Sequence, residues 1–174
     1  VQTCALPIYA AGIITTIAGT GTAGSGGDGG PATNAQLAGP IYATMSADGS
    51  IYIPDNIAFK IRKIDTAGII RSFAGTGSAG VTGEGVMVSA TPITEPYALC
   101  TDAANNLYFH DRSAAVRRID WNTGIITRVA GTGDSLGTPY TGDGIPATAC
   151  RINPVGIWKD DTGNLYISDY GNKR

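Results

Sequence analysis

The sequence predicts an all-β protein built from repeated four-stranded antiparallel sheets, and three observations support this fold class. The motif Ala-Gly-Thr-Gly begins at Ala18, Ala74 and Ala130, so it recurs every 56 residues. Glycine is abundant, at 25 of 174 residues, which suits many short strands joined by tight turns. Short apolar and β-branched runs alternate with clusters of Asp, Asn, Gly and Pro, which are strand and turn signals. A period this regular indicates one supersecondary unit used repeatedly.

The first complete copy of the repeat covers residues 41–74 and is expected to contain four strands. The turn residues Ala47-Asp48-Gly49 separate the first two strands, and Pro54-Asp55-Asn56 ends the second. A turn at 65–68 separates the third strand from the fourth. The predicted strands are 41–45, 51–53, 60–64 and 69–74. Runs of this length with turns between them are typical of an antiparallel meander.

The second copy, 97–130, repeats this plan, and the third, 155–174, contains two of the four strands. The predicted strands are 97–101, 107–109, 116–119 and 125–130 in the second copy, and 155–159 and 165–168 in the third. A four-stranded meander repeated at this spacing is the blade of a β-propeller. The fold prediction is therefore a β-propeller fragment of about two and a half blades. A stacked solenoid is the alternative, and it would have longer parallel strands.

The residues around the second and third strands resemble the NHL-repeat family, whose members are six-bladed β-propellers. The segment 163–174 reads Gly-Asn-Leu-Tyr-Ile-Ser-Asp-Tyr-Gly-Asn-Lys-Arg, with Lys173 where the family often has His. The segments 61–65 and 116–120 match the strand that follows in that pattern. The linkers Gly-Asp-Gly-Gly-Pro-Ala-Thr at 27–33 and Gly-Asp-Gly-Ile-Pro-Ala-Thr at 142–148 are similar to those of a bacterial-type subgroup. The resemblance implies six blades, with the remaining blades of a full-length chain as the partners of this fragment.

Both ends of the sequence are expected to depart from the native chain. Residues 1–8 resemble an in-frame translation of a DNA-sequencing adapter, so the partial propeller is expected to occupy 9–174. The alternative for this start is the tail of a signal peptide, although no basic segment or apolar core precedes it. The sequence stops at Arg174 in the middle of a repeat, which predicts a fragment of an environmental, metagenomic reading frame.

Composition and charge argue against several classes of partner. Charged residues make up 15% of the chain and its net charge is −2, so no strong field attracts nucleic acid. Basic pairs recur on the third strand, and we expect them to be exposed and paired with neighbouring carboxylates: Arg62-Lys63, Arg117-Arg118 and Lys173-Arg174. No apolar run reaches the roughly 18 residues of a membrane segment. The cysteines occupy unrelated repeat positions, which indicates neither a metal pair nor a disulfide.

Three aspartates recur once per blade and are the candidates for a metal site. Asp55, Asp111 and Asp169 each stand three residues after a tyrosine of the second strand. A ring of carboxylates lining a central channel would hold Ca²⁺ or a cationic ligand. The alternative, which we favour, is that each carboxylate accepts hydrogen bonds from turn amides. The Gly-Asp-Gly linkers are likewise interpreted as turns rather than calcium loops, with Leu37 and Ile152 packing back into the core.

His110 and Trp158 are candidate ligand-binding residues because they break the pattern of the repeat. His110 is the only histidine, and it stands where the other copies have Pro54 and Ser168. Trp158 lies on the first strand, where the other copies have smaller side chains. One histidine cannot supply a zinc site that needs several imidazoles. Both residues are candidate ligand contacts, and the alternative is a structural role, which for Trp158 means packing in the core or lining the channel.

The predicted function is a non-catalytic binding or interaction scaffold, with a protein or carbohydrate as the ligand and no required cofactor. Many activities share this scaffold, so the fold does not identify the ligand. The resemblance also implies an alternative, a calcium-dependent lactonase or hydrolase whose site would lie mostly in blades outside this sequence. A third alternative is a sensor or adhesion domain attached to a membrane anchor. By analogy with the linker subgroup, an extracellular or periplasmic location is expected.

Overall fold

The computed structural model describes residues 12–80, 82–133 and 139–174, and the strands in these ranges form antiparallel sheets. The first sheet, blade 1, is a meander in chain order. Its strands are β1 (Thr44–Met45), β2 (Ile51–Asp55), β3 (Lys60–Ile64) and β4 (Ile70–Ala74). The segment 1–8, which we interpreted as adapter-derived, lies outside the described residues.

Blade 2 repeats the meander and gains an additional strand from the linker that precedes it. Its strands are β5 (Val86–Met87), β6 (Leu99–Thr101), β7 (Leu107–Asp111), β8 (Ala115–Ile119) and β9 (Ile125–Ala130), in the order β5-β9-β8-β7-β6. Blade 3 is a two-stranded sheet of β10 (Gly156–Lys159) and β11 (Leu165–Ser168). The prediction of repeated four-stranded antiparallel sheets is confirmed by blades 1 and 2.

The strand bounds agree with the prediction, and the main differences have physical causes. Strands β3, β9 and β11 begin and end at the predicted residues. Strand β1 is shorter than the predicted 41–45, and its partner strand β2 contains Pro54, which has no amide proton to donate to a neighbouring strand. Strand β5 was not predicted, since a two-residue strand in a glycine-rich linker carries no alternation signal.

Helical structure in the described ranges consists of short 3₁₀ turns. They cover Ala32–Asn34, Val88–Ala90, Ala147–Ala149 and Tyr170–Asn172. The first three follow the glycine-rich part of a linker and lead the chain back toward the first strand of the next blade. Within the described residues, no helix has the length and apolar character needed to span a bilayer.

A bulge occurs at the same position of the third strand in blades 1 and 2. The register shifts between Ile61 and Arg62 in one blade and between Val116 and Arg117 in the other. A bulge changes the direction of the neighbouring side chain. Arg62 and Arg117 are 0% and 2% exposed, so the expectation that these basic residues are exposed is wrong. The bulged strand directs them into the protein, where they pair with buried carboxylates.

Three apolar clusters join blades and linkers. The cluster between blades 1 and 2 contains Tyr52 from one blade and Phe109 from the other. A second cluster packs the first linker against blade 1 through Leu37 and Ile53. A third joins blade 2 to the last linker through residues such as Ile152. Leu37 and Ile152 are both buried, which confirms that the linkers pack back into the core.

The repeated Ala-Gly-Thr-Gly motif stands where an outer strand turns into the next linker. Gly75 and Gly131 have φ angles of 85° and 84°, in the left-handed region. A Cβ at Gly75 would clash with the carbonyl oxygen of Phe59, and one at Gly131 would clash with that of Ala114. Only glycine permits both this backbone conformation and this close approach. The motif therefore recurs because each blade needs the same turn.

Candidate functional site

The once-per-blade aspartates accept hydrogen bonds from protein donors. Asp55 Oδ1 accepts from the backbone amides of Ala38 and Gly39, each at 2.8 Å. Asp169 Oδ1 accepts from the amide of Asn153 at 2.7 Å. In both blades a carboxylate at the end of the second strand thus fixes the backbone just before a proline, Pro40 or Pro154.

Asp111 has a different set of partners in blade 2. Its Oδ1 accepts from the Ser113 amide at 3.0 Å, and its Oδ2 accepts from the Thr82 hydroxyl at 3.1 Å. Among residues 12–80, 82–133 and 139–174, no group of three His, Cys, Asp or Glu side chains is arranged to hold a metal ion. Each aspartate therefore has structural partners in its own repeat, and calcium binding stays a prediction.

A buried arginine joins blade 1 to the linker that precedes it. Arg62 lies between two carboxylates, with Nη2 2.6 Å from Asp28 Oδ1 and Nη1 3.6 Å from Asp55 Oδ2. Nη1 also donates to the carbonyl oxygen of Gln36 at 3.2 Å. Burial raises the pKa of Asp55, while its two amide donors and Arg62 act in the opposite direction. We call this arrangement of a linker acid, a third-strand arginine and a second-strand aspartate the arginine lock.

Blade 2 has the same lock with a glutamate in place of the linker aspartate. Arg117 Nε lies 3.3 Å from Asp111 Oδ2, and Arg117 Nη1 forms an ion pair with Glu84. Glu84 also accepts the backbone amide of Arg128 at 2.7 Å. The linker acid therefore does more than form a turn, because it attaches the linker to the outer strands of its blade.

A cleft of about 190 Å³ opens at the junction of blades 2 and 3. It is lined by Tyr97, residues 110–112 and residues 153–155, and we call it the interblade cleft. Tyr97 leads into β6, while residues 110–112 end β7 and begin the turn to β8. Residues 153–155 lead into β10. The lining therefore comes from the same end of two successive blades, where loops on a rigid scaffold commonly carry binding residues.

His110 is the buried polar side chain of the interblade cleft. It is 3% exposed, and its ring stacks on that of Tyr97 with the centroids 5.5 Å apart and 4° between the planes. Its Nε2 has no hydrogen-bond partner among the described residues. Burial lowers the pKa of His110, while the backbone of Val155 and the charge of Asp111 act in the opposite direction. The imidazole is therefore neutral near about pH 7 and retains one unused nitrogen.

Polar groups surround the mouth of the cleft. Arg112 is exposed, and its Nη1 donates to Glu95 Oε2 at 2.8 Å. Asn153, on the opposite side, contributes a half-buried side chain. The cleft thus combines an aromatic wall, an unused imidazole nitrogen and a polar rim. In ligand sites, groups of this kind fix the orientation of the ligand through a few hydrogen bonds.

Trp158 lies outside the interblade cleft. Its side chain is 61% exposed, and its ring centroid is 5.5 Å from that of Tyr166, its neighbour on β11. The corresponding residues of blade 2, Cys100 and Tyr108, are buried where blade 3 packs against that sheet. Trp158 therefore belongs to the open face of blade 3. Its proposed role in ligand binding stays a prediction.

Reasoning from the sequence identified His110 but missed Tyr97, Arg112 and Asn153. Tyr97 begins the predicted strand 97–101, while Arg112 and Asn153 lie just outside the predicted strands. A single sequence does not indicate which of these side chains meet. One signal was present for Tyr97, since the other copies of the repeat have Ile41 or a valine there. An aromatic residue at a position that is otherwise aliphatic breaks the repeat, as His110 does.

Comparisons with known proteins identify the fold. No protein-family model matches the chain, and no curated protein sequence matches it. A protein of unknown function from Bacteroides thetaiotaomicron is 24% identical, with a TM-score of 0.72 over 94% of this chain and 38% of that one. An auxiliary nutrient binding protein from Bacteroides ovatus is 20% identical, with a TM-score of 0.61 over 82% of this chain and 37% of that one.

A third solved structure has the same architecture. It is a protein whose proposed assignment is gluconolactonase, 14% identical, with a TM-score of 0.53 over 92% of this chain and 48% of that one. The chain thus spans between 37% and 48% of the length of these three structures. The shared fold and the repeated four-stranded sheets define the chain as part of a β-propeller. At these identities the likeness establishes the fold and not the activity.

Proposed function

We propose that this chain is part of an NHL-type β-propeller that binds a small ligand in the interblade cleft without catalysing a reaction. The observation that carries the proposal is His110 Nε2, which is buried at the wall of the cleft and unpartnered among the described residues. A buried polar atom without a hydrogen bond is costly and therefore rare in folded proteins. A ligand that donates a hydrogen bond to His110 Nε2 would remove this free-energy cost.

The contrast between unique and repeated residues supports His110 as the ligand contact. Pro54 and Ser168 occupy its position in the other blades, so no blade needs an imidazole there for its own folding. Asp55 and Asp169, by contrast, fix linker amides in their own repeats. His110 Nε2 is thus a polar atom that the repeat does not use and that is available to a ligand in the cleft.

The size and polarity of the cleft favour one sugar unit of a carbohydrate. A cavity of about 150 Å³ admits benzene, so a cleft of about 190 Å³ accommodates one ring with its substituents. The stacked rings of Tyr97 and His110 form an apolar wall, and the neutral imidazole suits an uncharged hydroxyl group. The nutrient binding protein of similar fold supports ligand binding as one use of this scaffold.

Calcium-dependent hydrolysis is the rival function, and we propose that the cleft does not require calcium. A calcium ion takes about six to eight oxygen ligands that converge on one point. Asp55, Asp111 and Asp169 come from three different blades, and each already accepts hydrogen bonds from its surroundings. The structure assigned as a gluconolactonase shares the fold, so calcium is included in the test.

An NMR titration of the 174-residue chain with methyl glycosides of glucose, galactose, mannose and N-acetylglucosamine tests the proposal. The only histidine gives a single imidazole Hε1 signal, which reports directly on the cleft. We expect this signal to shift saturably with at least one glycoside, without calcium. His110→Gln removes this reporter signal, so the affinity of the variant and of the unchanged chain is measured by isothermal titration calorimetry. The variant should bind about tenfold or more weakly, because the hydrogen bond to the ring is lost. Ser168→Ala is the matched control at the equivalent position of blade 3, and it should leave the affinity unchanged.

Each other outcome argues against part of the proposal. Binding that His110→Gln leaves unchanged would place the glycoside elsewhere and exclude the interblade cleft. No shift with any glycoside would exclude this ligand class. Binding that appears only after calcium is added would support the hydrolase-type rival.

A further inference from the structure

An ion pair at the mouth of the interblade cleft joins two residues that break the pattern of the repeat. Arg112 lines the cleft, and its Nη1 donates a hydrogen bond to Glu95 Oε2 at 2.8 Å. The other copies have uncharged residues at these two positions: Asn56 and Gly39 in blade 1, and Tyr170 and Asn153 in blade 3. The repeat therefore does not need this ion pair in order to fold.

The backbone beside the cleft is also arranged differently in blade 2. Glu95 has a φ of 38°, which is uncommon for a residue other than glycine. The preceding carbonyl oxygen, that of Thr94, accepts a hydrogen bond from the Arg112 amide at 3.1 Å. Arg112 is thus bound to segment 94–95 through both its backbone and its guanidinium. A positive φ that holds a charged side chain against a cleft residue is consistent with a role beyond folding.

Each charged residue that lines the cleft has a partner of opposite charge. Asp111 and Arg112 are the two charged residues of the lining. Asp111 is buried, and its Oδ2 lies 3.3 Å from Arg117 Nε, while Arg112 pairs with Glu95. His110 is neutral near about pH 7, because burial lowers its pKa. The lining therefore presents a balanced charge to a ligand.

The ion pair cancels the charge of Arg112 but does not use all of its hydrogen-bond donors. A guanidinium has five N–H groups, and those that do not contact Glu95 suit the uncharged oxygens of a sugar. A carboxylate on the ligand would instead compete with Glu95 for the guanidinium and would be repelled by it. The side chains of Arg112 and Glu95 are 54% and 28% exposed, so water screens this competition and keeps its effect moderate.

We propose that Glu95 is a specificity-determining residue of the interblade cleft, which selects uncharged sugars over sugar acids by pairing with Arg112. The inference rests on the proposed function, because it concerns the ligand of the same cleft. Without Glu95, the guanidinium of Arg112 would bind a ligand carboxylate, for which its fork geometry is suited. Without Arg112, the carboxylate of Glu95 would repel such a ligand. The two residues of the ion pair thus have opposite effects on the choice of ligand.

Isothermal titration calorimetry of the 174-residue chain with matched ligands tests this inference. The probes are the four methyl glycosides named above and the corresponding methyl uronides, in which a carboxylate replaces the hydroxymethyl group. The unchanged chain should bind a glycoside more tightly than its uronide. Glu95→Asn should shift the ratio of the two affinities toward the uronide by about threefold or more, and Arg112→Gln should shift it in the opposite direction. Both shifts should diminish at about 0.5 M salt, because the charges are exposed.

The variants are chosen so that folding does not obscure the result. Asparagine tolerates a positive φ better than glutamate, so Glu95→Asn suits the backbone at this position. Asp161→Asn and Arg71→Gln are the matched controls, since each changes an exposed charge outside the lining of the cleft. Both controls should leave the ratio of affinities unchanged.

The remaining outcomes separate a failure of this inference from a failure of the proposed function. If glycosides bind but Glu95→Asn gives the same ratio as Asp161→Asn, the inference is overturned and glycoside binding stands. A shift of the same sign from Glu95→Asn and Arg112→Gln, or a uronide that the unchanged chain prefers, would also overturn it. If no glycoside or uronide binds, the proposed function fails and the inference fails with it. If Glu95→Asn does not fold, the comparison of Arg112→Gln with Arg71→Gln still decides.

Discussion

Arg62→Met removes the guanidinium of the blade 1 lock while keeping an apolar side chain that fills part of the same space. The substitution leaves the buried carboxylate of Asp55 without its cation. It also removes the hydrogen bonds that Arg62 donates to Gln36 and Asp28. Removing one partner of a buried ion pair costs about 3–5 kcal/mol. We expect the free energy of unfolding to fall by an amount in this range.

The two carboxylates of the lock contribute unequally to this loss. The side chain of Asp28 is 42% exposed, so its pair with Arg62 is screened by water and contributes about 1 kcal/mol or less. Asp55 is fully buried and accounts for most of the remainder. Asp28→Asn should therefore cost much less than Arg62→Met. Since the total stability of a domain is about 5–15 kcal/mol, the larger loss is readily measured.

The cost of Arg62→Met should also depend on pH, through Asp55. Burial already raises the pKa of Asp55 above 3.8, so the folded state favours its protonated form. The contribution of this group to stability is complete below pH 3.8 and is lost as the pH rises through its native pKa. Without Arg62 the native pKa rises further, because the opposite charge is gone. The penalty should therefore be largest at neutral pH and smaller in acid, where Asp55 takes up a proton.

Urea unfolding followed by circular dichroism at about pH 7 and about pH 5 measures both effects. Arg71→Met is the matched control, since Arg71 is an exposed arginine on β4, and it should change the stability by less than about 0.5 kcal/mol. If the Arg62→Met variant is as stable as the Arg71→Met variant, the argument for the arginine lock is refuted. A penalty that grows in acid would refute the role of Asp55.

In urea unfolding, Gly75→Ala should lower the free energy of unfolding by more than about 2 kcal/mol, and Gly68→Ala should lower it by about 1 kcal/mol. Both glycines have a positive φ, but only at Gly75 would a Cβ clash with the backbone, so equal losses would contradict this prediction. A pH titration of the His110 imidazole signal should give a pKa below 6.5, and a value at or above 6.5 would contradict the burial of this side chain. The contribution of His110 to stability should be complete above pH 6.5 and should decline as the pH falls toward the native pKa. Trp158 is exposed and Trp121 is partly buried. Acrylamide should therefore quench the fluorescence of Trp121→Phe, which retains Trp158, more strongly than that of Trp158→Phe, which retains Trp121. Equal quenching would contradict the open face of blade 3.

The strands could be predicted because each repeat is an independent copy of the same local signal. A turn rich in Asp, Asn or Gly adjoins both β3 and β9, and each strand begins and ends at the predicted residue. The linkers carry no such signal, since their path is set by contacts with the blade they precede. Strand β5 was therefore missed, although Leu37 and Ile152 were correctly expected in the core.

The arginine lock could not be predicted, because it depends on residues that are distant in sequence. Arg62 and Asp28 are 34 residues apart, and only the folded linker brings them together. Arginine is rarely fully buried unless paired, so the charge pattern alone favoured exposure. The bulge before Arg62, which directs the side chain inward, leaves no mark in a single sequence. The interblade cleft was missed for the same reason, since Tyr97 and Asn153 meet only when blades 2 and 3 pack together.

Repetition itself separates structural from functional polar residues in this fold. Every blade must be built, so the residues that build it recur, as the aspartates and the lock arginines do. A ligand that binds in one cleft needs its contacts only once, and those contacts need not recur. His110 fulfils this condition because it occurs in one blade, is buried, and has a ring nitrogen that the described residues do not use. Trp158 is equally unusual in the repeat, but it stands on an open sheet face rather than in a cleft. The interblade cleft thus contains a buried polar atom that the repeat does not require.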